Sequence, residues 1–268
     1  MIKDKNILIQ NGVDLKKSLE LFGDMTMYDE SLGDFMAEID NKLYKIAHFK
    51  DASDMPNYAI LVHSLKSDAK YFGFTKLAEI AYDHELKSKE KNVIFVNENY
   101  NSLIDEANRI VDLVKKYLSS GISNVVLPIK EKKSLNGEID HNKKTILVAD
   151  DSEIIINFVK KIFENEYNVI FALDGEEAIE YINEDKEDII AFLLDLNMPK
   201  VDGFKVLEYM KEKNLFENIP VSIITGNDSR EINLNAFEYP IIDILKKPFT
   251  PDAIKSIVER TMNSKKRY

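Results

Sequence analysis

Four apolar runs in the second half of the chain end on side chains able to handle phosphate or metal. Ile189–Asp195 (IIAFLLD) closes on Asp195, and Thr145–Ala149 (TILVA) is followed by Asp150 and Asp151. Val221–Ile224 (VSII) runs into Thr225 and Gly226, and Ile241–Leu245 (IIDIL) into Lys246, Lys247 and Pro248. Runs this short and this uniformly apolar read as buried parallel strands. In open α/β sheets ligands bind outside the carboxyl ends of the strands, so these polar groups would gather at one edge. Alone, Asp195 reads equally well as a strand-terminal residue capping the next turn, and its partners decide between the two. Three carboxylates about 4 Å apart oppose one another by roughly 4 kcal/mol per pair at an effective dielectric near 20. A lysine and a hard divalent cation bound by oxygen would resolve that conflict. Mg²⁺ fits best, because it needs only one or two carboxylates and keeps several waters.

Asp150 and Asp151, then Asp195, Thr225 and Lys247 before Pro248 follow in order, with Asn197-Met198-Pro199 and Asp202-Gly203 after the central aspartate. In these positions the stretch from about Lys143 to Met262 resembles the receiver domain of bacterial response regulators. The resemblance implies that Asp195 accepts a phosphoryl group. It also implies that Asp151 and the backbone carbonyl of Asn197 join Asp195 in holding Mg²⁺, with Asp150 acting largely through water. Thr225 and Lys247 would bind the phosphoryl oxygens. Phosphoryl transfer asks for the same parts: an in-line nucleophile and positive charge on the equatorial oxygens. Gly226, without a side chain, leaves the path open.

These side chains need a scaffold. From Lys143 onward strand-like and helical patterns alternate, giving five buried strands and five helices. That alternation predicts a doubly wound parallel sheet of order 2-1-3-4-5. The helices are expected at Ser152–Asn165, Gly175–Asn183, Gly203–Lys213, Ser229–Glu238 and Pro251–Met262. Two features depart from the receiver pattern: Ile244 stands where an aromatic residue usually switches, and AFEYPI replaces a small turn before the last strand.

The first half has a helical period. Asp24–Phe49, Asp54–Phe72, Thr75–Lys89 and Val96–Leu118 carry apolar residues at three- and four-residue spacing, after a shorter helix over Asn11–Phe22. This predicts an antiparallel four-helix bundle, with Gly73 where one helix ends. A wheel for the second long helix puts Tyr58, Leu61, Val62, Leu65, Ala69 and Phe72 toward the core. His63 falls on the opposite, solvated side beside Lys66 and Lys70, an arrangement that would stabilise a phosphorylated imidazole. His63, Lys66 and Gly73 resemble the core motif of the histidine phosphotransfer (HPt) domain, with Ser67 in the usual Gly position. The resemblance spans about Asp14–Leu118 and implies phosphohistidine on His63, steadied by Lys66. Of the other histidines, His48 reads as capping or packing, His84 as lying on a charged helix face, and His141 as part of a linker.

The predicted organisation is a helical bundle over 1–118, a linker over 119–142 and an α/β domain over 143–268. Ser119–Asn142 mixes Ser, Gly, Pro and charge, and as a flexible chain spans on the order of 25 to 30 Å. Contact between His63 and Asp195 in one molecule is thus sterically conceivable. The 268 residues carry a net charge of −11, which argues against a nucleic-acid surface. With no cysteine there is no disulfide framework and no thiol chemistry. No signal peptide or membrane-length apolar segment is present, so the expected setting is cytoplasmic. Neither an ATP-binding kinase domain nor an output domain is recognisable. The expected function is a phosphorelay protein served by a separate sensor histidine kinase, receiver or HPt protein. The competing reading is an adaptor whose bundle only docks partners. A Mg²⁺-dependent phosphatase would want a second aspartate where Asn197 stands.

Overall fold

The computed structural model of the protein describes residues 3–121, 139–140, 142–185, 189–226 and 234–264. The chain divides into two compact units, Met1–Glu131 and Lys132–Tyr268. Most of the expected linker lies outside the described residues, including His141, as do 229–233 of one expected helix.

The first unit is helical: α1 (Asn6–Gln10), α2 (Leu15–Phe22), α3 (Met25–Asp51), α4 (Met55–Tyr71), α5 (Thr75–Lys89) and α6 (Val93–Ser119). Side chains start most of these helices, with Asp14, Asp24, Asp54 and Asn92 each accepting a backbone N–H of the first turn. The leading helix expected over Asn11–Phe22 starts only at Leu15, and a separate short helix, α1, precedes it, with Gly12 at a φ of +83° between the two. Contacts run from α3 to α4, α4 to α5, α5 to α6 and α6 back to α3, closing a four-helix ring. Its core is aromatic: Phe22 stacks on Phe72 with centroids 5.2 Å apart, and the Tyr28 hydroxyl donates to the Phe72 carbonyl at 3.2 Å.

The second unit alternates β1 (Thr145–Ala149), α7 (Glu153–Phe163), β2 (Asn168–Ala172), α8 (Gly175–Asp185), β3 (Ile189–Asp195), α9 (Gly203–Glu212), β4 (Val221–Thr225), β5 (Ile244–Lys246) and α10 (Pro251–Ser264). The sheet order is β2-β1-β3-β4-β5 and every pairing is parallel, as the alternation predicts. β1 and β4 are buried along their whole length, as their apolar runs require. The last strand is shorter than Ile241–Leu245. Before Ile244 the chain still bonds to β4, with the Ile242 N–H donating to the Val221 carbonyl at 2.8 Å and the Asp243 carbonyl accepting the Ile223 N–H at 2.9 Å, while the Asp243 carboxylate accepts the Ile244 N–H at 2.8 Å.

Candidate functional site

The parallel register brings the chemistry-bearing side chains of the second unit to one sheet edge. Ala149 pairs with Leu194, so Asp150, just past β1, lies beside Asp195 at the end of β3. Asp195 pairs with Ile224, so Thr225 lies one step further on β4, and Thr225 pairs with Lys246, next to Lys247. Ligand atoms of Asp150, Asp151 and Asp195 all lie within 4.8 Å of one another. Asp150 and Asp195 are fully buried, Thr225 and Lys247 nearly so, and Asp151 is half-buried.

Lys247 is the counter-charge. Its Nζ lies 2.5 Å from Asp150 Oδ2 and 2.6 Å from Asp195 Oδ2, and the peptide to Pro248 is cis. Burial works to lower the lysine pKa, but the charges of Asp150 and Asp195 outweigh it and hold the ammonium above its ordinary value. Burial pushes Asp150 up to about 6, with the Asp195 charge adding and Lys247 opposing. Two backbone donors complete the frame: Ser152 N–H to Asp150 Oδ1 at 3.0 Å and Asn197 N–H to Asp195 Oδ1 at 3.2 Å. The side-chain nitrogen of Asn197 is buried without a hydrogen-bond partner among the described residues.

Three carboxylates converge here, with one ammonium against two of them. The donors are all hard oxygens, with neither thiolate nor imidazole among them. This set fits a small divalent cation.

The approach of α9 to this edge depends on Gly203. A Cβ there would lie 2.3 Å from the Asp195 carbonyl oxygen and 2.8 Å from the Leu196 Cα. Its N–H donates to the Leu196 carbonyl at 3.1 Å, which folds the loop after β3 back over the strand end.

In the helical unit His63 and Lys66 do lie together, but the expectation that His63 faces solvent is overturned. His63 is 3% exposed and Lys66 4%. Every residue of α4 from Val62 to Ala69 is buried, because α2, α3 and α5 all pack on it. Its polar side is covered by ion pairs rather than by water. Lys42 of α3 pairs with Asp68 and donates to the Ser64 hydroxyl at 3.1 Å, while Glu85 of α5 meets His63 and Lys66. A wheel cannot tell a polar face paired inside a bundle from one that is hydrated. Lys70 alone of the expected group is exposed.

Glu85 is the residue the sequence reading missed. Its Oε1 lies 2.7 Å from His63 Nδ1 and its Oε2 2.5 Å from Lys66 Nζ, while Lys66 Nζ lies 3.2 Å from the same imidazole nitrogen. Lys89, one turn on, also pairs with Glu85. Burial works to raise the Glu85 pKa, but hydrogen bonds and charges from His63 and Lys66 hold it well below the carboxylate range. Burial also lowers Lys66, with Glu85 opposing. A signal for Glu85 exists in the sequence: Ala78, Ala81, Glu85 and Ser88 form a small-residue stripe at helical spacing, so a carboxylate on it is buried and needs a partner. His84 is likewise buried, not on a charged face, with Nδ1 2.7 Å from the Tyr58 hydroxyl and Nε2 3.3 Å from the Asn99 carbonyl. His48 is exposed and packs edge-on against Phe49.

Comparison with known proteins agrees with the geometry of the second unit. Residues 146–259 match the response regulator receiver domain family. The C-terminal part of the chain is a receiver domain, the class of module that carries phosphoaspartate in two-component signalling. The alkaline phosphatase synthesis transcriptional regulatory protein PhoP of Bacillus subtilis is 34% identical over 119 residues, 44% of this chain and 48% of that protein. Hybrid signal transduction histidine kinase D of Dictyostelium discoideum is 28% identical over 126 residues, 47% of this chain and 8% of that one. The solved receiver domain of Francisella response regulator 1452 is 31% identical with a TM-score of 0.41, covering 45% of this chain and 98% of that one. The chain spans about half or less of the length of these curated relatives. The helical unit lies outside the family match. Among the described residues no helix is long and apolar enough to cross a membrane.

Proposed function

We propose that this chain is a phosphorelay component of two-component signalling in which Asp195 accepts a phosphoryl group. The observation that carries the reading is the convergence of Asp150, Asp151 and Asp195 within 4.8 Å, with Lys247 on the two buried carboxylates. Asp150, Asp151, Asp195 and the backbone carbonyl of Asn197 would hold Mg²⁺. Bound there, the ion neutralises charge on the phosphoryl oxygens. A carboxylate oxygen of Asp195 attacks the phosphorus of a donor phosphohistidine, forming a P–O bond as the P–N bond breaks. The donor imidazole leaves with the electron pair and takes up a proton. Lys247 and the Thr225 hydroxyl donate to the oxygens of the transferred group. The partner is a separate histidine kinase or phosphotransfer protein.

A second station at His63 is favoured by one contact, the 2.7 Å hydrogen bond between His63 Nδ1 and Glu85. A carboxylate accepting from Nδ1–H fixes the tautomer whose lone pair is on Nε2, the nitrogen that would take the phosphoryl group. Lys66 supplies the charge beside it. Because His63 is 3% exposed, transfer there requires the surrounding side chains to move aside.

The test is labelling of the full chain with a phosphorylated donor, comparing wild type with Asp195→Asn and His63→Gln. Wild type is expected to carry a base-labile acyl phosphate that Asp195→Asn abolishes, and an acid-labile label that His63→Gln abolishes. Full base-labile labelling of Asp195→Asn overturns the phosphoacceptor. Onward transfer undiminished in His63→Gln overturns the second station and leaves the helical unit as a docking module.

A further inference from the structure

We propose that Asp174 and Lys200 form a clamp that positions the loop after β3, and so sets the affinity of the site for its divalent cation. The inference rests on the reading of Asp195 as a Mg²⁺-assisted phosphoacceptor. Neither residue belongs to the carboxylate cluster, and neither is singled out by sequence.

The loop Leu196–Asp202 joins β3 to α9 and carries Asn197, whose N–H donates to Asp195 Oδ1. One end is fixed by the Gly203 N–H on the Leu196 carbonyl at 3.1 Å. The other end is fixed against the turn before α8. There the Gly175 N–H donates to the Val201 carbonyl at 3.0 Å, and a Cβ on Gly175 would come within 2.3 Å of that oxygen. Between the two anchors Lys200 adopts a φ of +57°, the left-handed region that a side chain disfavours. What faces it is Asp174, with Oδ2 2.6 Å from Lys200 Nζ. Asp174 is 3% exposed and held rigidly, because its Oδ1 accepts the N–H groups of Glu176 and Glu177 at 2.9 and 3.0 Å.

Magnitude decides where such a pair can act. The Lys200 side chain is 60% exposed, so the ion pair is hydrated and adds little to the stability of the whole domain. Its effect is local, on the angle at which the strained loop presents Asn197 to Asp195. Groups that orient metal ligands from outside the coordination sphere change affinity without touching the ion.

The experiment uses the full chain and four variants: Asp174→Asn, which keeps an acceptor for the α8 cap, Lys200→Gln, the double variant and Lys200→Arg. The readouts are the Mg²⁺ dissociation constant by titration calorimetry and the thermal midpoint in chelator. Each single removal is expected to weaken Mg²⁺ binding roughly threefold or more, with the metal-free midpoint nearly unmoved. The double variant is expected to be no weaker than either single one, since the two act as a unit, and Lys200→Arg to restore wild-type affinity. Unchanged affinity in the single variants, or losses that add in the double, overturns the clamp alone. A wild-type chain that takes up no Mg²⁺ overturns the phosphoacceptor reading and the clamp with it.

Discussion

Glu85 shows how one residue can change the meaning of its neighbours. Without it His63 and Lys66 would lose the carboxylate they share, and burial would favour the neutral form of Lys66. With it they form a fixed group in which the carboxylate lies well below its ordinary pKa of 4.5. A depressed carboxylate contributes stability that is complete above the unfolded value and lost as pH falls through the folded one. Glu85→Gln is therefore expected to lower unfolding free energy at pH 7 by about 3 kcal/mol. The gap to wild type should close as pH drops below 4.5, measured by urea denaturation across pH. A gap that stays constant into acid would show that Glu85 acts through shape rather than charge.

At the scale of elements, the site exists because α9 begins directly over the end of β3. Helix propensity favours Ala over Gly by about 1 kcal/mol, so on local grounds Gly203→Ala would stabilise the first turn of α9. The 2.3 Å approach of the added Cβ to the Asp195 carbonyl decides the opposite sign. The substitution is expected to cost about 2 kcal/mol in chemical denaturation and to weaken Mg²⁺ binding as the strand end shifts. A stabilised variant would mean that α9 can back away freely. The short β5 is tied to β4 beyond its own three residues, since the Ile242 N–H and the Asp243 carbonyl also bond to that strand.

For the whole molecule, a cation held by the three converging carboxylates would act as a ligand of the folded state. Binding to the folded state alone stabilises by mass action, so Mg²⁺ at ten times its dissociation constant should add about 1.4 kcal/mol. A rise in thermal midpoint with Mg²⁺, reversed by chelator and absent in Asp195→Asn, is the expected result. An equal rise in the variant would place the ion elsewhere.

The parallel sheet, its order and the arrival of Asp150, Asp195, Thr225 and Lys247 at one edge follow from local sequence pattern. Apolar runs of four to seven residues can be buried in few ways, and parallel strands deliver whatever follows each run to the same edge. The sequence also marked the four long helices to within a few residues, because a 3.6-residue period is a local property. The burial of α4 from Val62 to Ala69 on every side, the place of Glu85 in the His63 group and the reach of Lys200 to Asp174 came only with the folded arrangement. Those facts depend on side chains from separate elements that meet only once the chain is folded, and such pairing leaves no periodic trace in the chain.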